Sequence, residues 1–186
     1  ALRNESGARR TIEVTTYAEV VLHHSAAHAA HPAFQKLFVQ TEHDPEHDVL
    51  LVRRRPRSAD ERHPWLLHAL VGPGESEHET DRVRFVGRGR TPAAPRALCT
   101  REPLSGTTGS VLDPVVAFRR TLVLEPHAEA TLYAVLGAAP ERGALRELAA
   151  RLDTTALDDA FLRAAAREEE LLAALGVDAA RAEAWQ

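Results

Sequence analysis

The stretch "TIEVTTYAEVVL", Thr11 to Leu22, alternates residue by residue over a β-branched run. Ile12, Val14, Thr16, Ala18, Val20 and Leu22 fall on one face of an extended chain, a period of two that a helix cannot gather onto one side. A chain built around such a segment must pair it in a sheet and cover that face. Further short runs repeat the demand. "AFQKLFVQTE" and "DVLLVRRRP" flank the turn-like acidic cluster "HDPEH", and "PWLLHALVG" ends in the turn "PGES". "DRVRFVGRG" sets Val83 and Phe85 against arginines, as a strand would. "VVAFRRTLVLEPHAEATLYAVLG" reads as two strands joined across "EPHAE". Short strands, frequent turns and no alternating helices predict a mainly β fold, an antiparallel β-sandwich over residues 1–138.

From Pro140 the pattern changes, and residues 139–186 read as helical. "PERGALRELAARL" opens with a proline suited to a first helical turn and puts Leu145, Leu148 and Leu152 on one face. A second helix is predicted behind Thr155 as N-cap, with Asp158 three residues on. Leu157, Phe161, Ala164, Leu171, Leu172 and Leu175 form its apolar stripe, and Gly176 ends it. Asp178 is placed to cap a third helix.

Charge and composition exclude several function classes. A formal net charge of −4 argues against a general nucleic-acid partner. Lys36 is the only lysine among many arginines. Cys99 stands alone, so no internal disulfide framework exists, which fits a reducing, cytoplasmic compartment. No apolar run approaches the roughly 18 residues of a spanning helix. The chain contains no methionine and opens on "ALRNESGARR", which leads us to expect a piece of a longer polypeptide.

Candidate sites are weak when read from the residues. "GRGR" after a strand resembles a phosphate loop, but "TPAAP" follows where a helix should begin, so a Gly-rich bend is expected, with its arginines solvated or paired to Glu79 and Asp81. His24, His28 and His31 have helical spacing for zinc, yet Pro32 disfavours helix at His31, and a solvated Ala/His loop is expected. His43 and His47 are read the same way. Asp81 and Asp113 could be paired carboxylates, but a turn and a strand entry at Pro114 explain Asp113 without chemistry. Cys99 reads as an incidental thiol. No nucleophile elbow is present, and no catalytic residue, metal ligand or cofactor is assigned.

Taken in order, "TIEVTTYAEVVL", "HPAFQKLFVQTE", "ETDRVRFVGRGR", "LSGTTGSVLDPVVAFRR" and "AFLRAAAREEELLAALGV" resemble the glycosyltransferase 36 region of glycoside hydrolase family 94. That family holds cyclic β-1,2-glucan synthases and the cellobiose and chitobiose phosphorylases, and the synthase branch is the nearer. The resemblance implies a galactose mutarotase-like super-sandwich, truncated on its N-terminal side. Residues 139–186 would then be a helical linker leading to an (α/α)6 barrel that the chain lacks. The barrel would carry the general acid and the phosphate-binding residues. Inorganic phosphate would attack the anomeric carbon while the acid protonates the leaving oxygen. In the synthases this region would trim chain length before cyclisation.

On this resemblance the chain is a non-catalytic sandwich domain supporting a barrel that acts on β-glucans. The parent's partners would be a β-glucan or oligosaccharide, inorganic phosphate, the remaining domains of its own chain and a homodimer mate. Its inner-membrane anchorage would lie in other domains. The "HHSAAHAAH" stretch departs from the family and is expected to be a variable loop. The alternative is a stand-alone carbohydrate-binding module or dimerisation domain. Trp65 could then stack on a sugar ring, and Arg82 and Arg88 could line its rim with fork-shaped donors.

Overall fold

A computed structural model describes residues 1–176. It contains β1 (Leu2–Arg3), β2 (Arg10–Glu19), α1 (Ser25–Ala30), α2 (Pro32–Lys36), β3 (Val39–Asp44), β4 (Val49–Arg54), β5 (Trp65–Val71) and β6 (Glu75–Asp81). Then come α3 (Arg82–Val86), α4 (Arg96–Cys99), β7 (Pro114–Leu124), β8 (Glu129–Ala130), β9 (Tyr133–Ala139), α5 (Arg142–Ala149) and α6 (Thr154–Leu175). Two larger antiparallel sheets form, in the orders β2-β7-β6 and β3-β4-β5-β9, with a small β1-β8 pair beside them. The antiparallel sandwich is as expected. The third helix expected at Asp178 lies outside the described residues.

The alternation of β2 is realised against β7, in register from Arg10 opposite Leu124 to Glu19 opposite Val115. Val20, Val39, Leu50, Val52, Leu70, Val116 and Phe118 form the core between the sheets. β7 is buried on both faces, because Phe85, Val86 and Ala97 cover Ala117 from the other side. A strand covered twice reads as a continuous apolar run, which is what "PVVAF" is.

Three expectations are corrected. "DRVRFV" is not a strand. β6 pairs with β7 only as far as Asp81 opposite Pro114, and Pro114 has no N–H with which to extend the ladder. Asp81 then accepts a hydrogen bond from the Val83 amide at 2.8 Å and caps α3, turning Phe85 and Val86 inward. In "AFQKLFVQTE" the first half is the helix α2, started by Pro32, and only Val39 onward is strand. The Ala/His stretch is the short helix α1 rather than a loop, with His24 and His31 as its caps. Pro32 keeps His31 out of the helix, as expected, but the six residues before it are helical.

The first compact unit runs from Ala1 to Arg151 and includes α5. Leu145 and Ala149 of α5 are buried, and the helix lies against β4, β5 and β9. Gly137 permits this approach, since a Cβ there would sit 3.1 Å from the Leu148 side chain. The second unit starts at Leu152 and holds α6. Its N-cap is Asp153, which accepts from the Ala156 amide at 2.8 Å, rather than Thr155. Gly176 ends it in the left-handed conformation, as expected. No residue of α6 is buried. Among the described residues no helix is long and apolar enough to cross a membrane.

Candidate functional site

The most heavily charged buried region lies on the outer face of β6 and β7. A bulge between Glu79 and Asp81 takes the Thr80 and Asp81 amides out of the ladder. Both instead donate to Glu79 Oε1, each at 2.9 Å. Glu79 Oε2 accepts from the Ser105 amide at 3.4 Å and from Ser105 Oγ at 2.5 Å. Four donors thus surround a carboxylate that is 1% exposed. Two residues along the same face, Glu77 pairs with Arg119 at 3.4 Å. Arg119 also donates to the carbonyls of Glu102 and Ala97, stitching the 96–105 segment to the sheet. A shallow cavity of about 180 Å³ opens here, lined by Glu79, Ser105, Arg84, Arg96 and Glu102 among others.

Arg82 sits at one end of this sheet in a network of alternating charge. It donates through Nε to Glu19 at 2.9 Å and approaches Asp113 at 3.8 Å. Lys36 pairs with Asp113 at 2.5 Å and with Glu19 at 3.5 Å. Two cations thus balance two carboxylates. Burial pushes Glu19 upward, but hydrogen bonds from Arg82 and Tyr17 outweigh it and hold the carboxyl below its usual range. Burial, and then the bond to Glu19, raise the Tyr17 hydroxyl to about 12. Tyr17 stacks on Phe85, with ring centroids 4.9 Å apart.

The three residues named from sequence do not converge. Trp65 opens β5 in the other large sheet, with the Arg53 guanidinium 5.6 Å from its ring. Arg82 is held by Glu19 and Asp113, and Arg88 is exposed in the turn after α3. Gly87, at φ 88°, ends α3, so "GRGR" follows a helix and not a strand. Of the partners expected for its arginines, Asp81 lies 3.8 Å from Arg84, while Glu79 is bound to backbone and Ser105 instead. Asp81 and Asp113 are spent on a helix cap and a lysine pair.

His24, His28 and His31 are not brought together. Among the described residues the metal-type trio with converging atoms is Asp44, Glu46 and His47, within 4.8 Å. Its carboxylates already hold Arg146, at 2.8 and 2.6 Å, which ties α5 to β3 and supplies the positive charge an ion would bring. Sequence reading missed another feature. His43 of β3 stacks on His78 of β6 across the inter-sheet space, centroids 4.0 Å apart, with Phe118 edge-on to both. Burial, then the neighbouring His43, lower the basicity of His78. Alternation puts His78 on the face of β6 opposite Glu77 and Glu79, but nothing local pointed to its ring partner on β3.

The chain is 39% identical over 145 residues to the cyclic beta-(1,2)-glucan synthase NdvB of Rhizobium meliloti, a match covering 76% of this chain and 5% of that protein. It therefore spans a small part of the length of that relative. The family model for the glycosyl hydrolase 94 supersandwich domain matches residues 1–155, the two-sheet body together with α5. This chain belongs to the glycosyl hydrolase 94 supersandwich family.

Proposed function

We propose that the chain is a non-catalytic supersandwich domain that supports, within a longer polypeptide, a barrel acting on β-glucans. The observation that carries this reading is Glu79. It is the most buried carboxylate of the outer face, and its acceptor positions go to Thr80, Asp81 and Ser105. A general acid must present its proton to a substrate oxygen. Glu79 is committed to holding a bulge and the 105–107 segment in place. Arg82 is likewise engaged by Glu19 and Asp113 rather than free to fork onto a sugar.

In the parent the chemistry would be phosphorolysis of a β-1,2-linked glucan. A phosphate oxygen bonds to the anomeric carbon, the glycosidic C–O bond breaks, and a carboxylic acid elsewhere in the polypeptide protonates the leaving oxygen. Calorimetric titration of the chain with β-1,2- and β-1,4-linked oligosaccharides at millimolar concentration tests the assignment. No saturable heat and no phosphate consumption are expected. Saturable heat abolished by Trp65→Ala or Arg88→Ala would instead establish a glucan-binding module.

A further inference from the structure

We infer that the sandwich end formed by α2 and the β4–β5 connection is a docking surface for an acidic segment of protein. The inference starts from Arg54. Continuing the alternation of Leu50 and Val52, its side chain turns inward and is 3% exposed. Its two terminal nitrogens donate to neutral acceptors, the Gln35 carbonyl at 2.7 Å and Gln35 Oε1 at 2.6 Å, while its buried Nε has no partner. Among the described residues no carboxylate pairs with it. The nearest acid to influence it, Glu61, is engaged by Arg57 and His63.

Arg119 provides the contrast. It is equally buried and its Nε likewise makes no hydrogen bond, but Glu77 lies at 3.4 Å, Glu13 at 3.9 Å, and two carbonyls accept from it. A buried cation is tolerated when a counter-charge answers it, and among the described residues no carboxylate forms an ion pair with Arg54.

Its surroundings indicate what would answer it. The Phe38 ring carries three guanidiniums, Arg54 at 5.1 Å and Arg55 and Arg57 at 5.7 Å. Phe34 packs edge-on against Phe38 at 5.3 Å, yet Phe34 and neighbouring Leu37 are each 48% exposed. Aromatic residues interleaved with arginine are the composition of interface hot spots. A phosphate polyanion would satisfy the charge but leave Phe34 and Leu37 wet. A segment that alternates carboxylates with apolar side chains answers both.

The test is calorimetry of the chain with a synthetic peptide of Glu-Glu-Leu-Leu repeats, with its Gln-for-Glu counterpart, and with inorganic polyphosphate. Saturable binding of the acidic peptide is expected. It should weaken roughly tenfold or more with the Gln peptide, and likewise in the surface variants Arg55→Ala and Phe34→Ala, as hot-spot truncations do. The proposal is overturned by no binding of the acidic peptide, by equal binding of the Gln peptide, or by polyphosphate binding as tightly.

Discussion

At Glu79 the shape of the side chain matters less than the sense of its hydrogen bonds. Glu79→Gln keeps the volume and one acceptor oxygen for the Thr80 and Asp81 amides. It turns the other end into a donor facing the Ser105 amide, a donor against a donor. A buried polar group left unmatched costs roughly 1–3 kcal/mol, so the urea midpoint should fall accordingly. An unchanged midpoint would mean that Ser105 simply turns away. Little of this site was legible in advance. "ESEHETD" places Glu77 and Glu79 on one face of a strand, but a burial this deep depends on the 96–105 segment, which lies far along the chain.

Among the elements, α5 shows how apolar and charged contacts divide the task of docking a helix. Leu145 is fully buried, whereas Arg142 reaches Glu42 from a half-exposed position at 3.0 Å. Leu145→Ala should cost about 2–5 kcal/mol through lost burial and the cavity left behind. Arg142→Ala should cost under about 1 kcal/mol, the usual range for exposed pairs. Thermal or chemical denaturation of both variants checks the order, and the reverse order would show α5 to be held by charge. The leucine spacing at 145 and 148 predicted this helix directly. α3 was misread because Val83 and Phe85 fit a period of two as well as a short helical turn. What decided between them was a cap at Asp81 and the missing N–H of Pro114, which sits more than thirty residues away in sequence. α1 was misread because the constraint of Pro32, which holds at His31, was extended to the six residues before it.

The molecule as a whole places imidazoles between its sheets. His68, bonded to Thr16 at 2.8 Å, and His78, stacked on His43, both have lowered basicity because burial disfavours the charged ring. An unfolded histidine titrates near about 6.5. Below that pH the unfolded chain takes up protons that the folded one resists, so stability is full above it and falls as the pH drops toward the native values. The carboxylates Glu19 and Asp44, held low by Arg82 and Arg146, add their own loss only at distinctly lower pH. Denaturant titrations across this range should show a first decline starting near about pH 6.5, flattened in His78→Gln. Stability that is level down to the carboxylate range would refute the assignment. The sandwich itself was legible because alternation is a local property. The stacking of His43 on His78 was not, because it joins strands of different sheets. One last feature bears on handling the protein. Its single lysine is clasped by Asp113 and Glu19. Amine-directed cross-linkers, dyes and acylating enzymes therefore find their sole side-chain target already engaged, and covalent mapping of its contacts calls for carboxylate- or arginine-selective reagents.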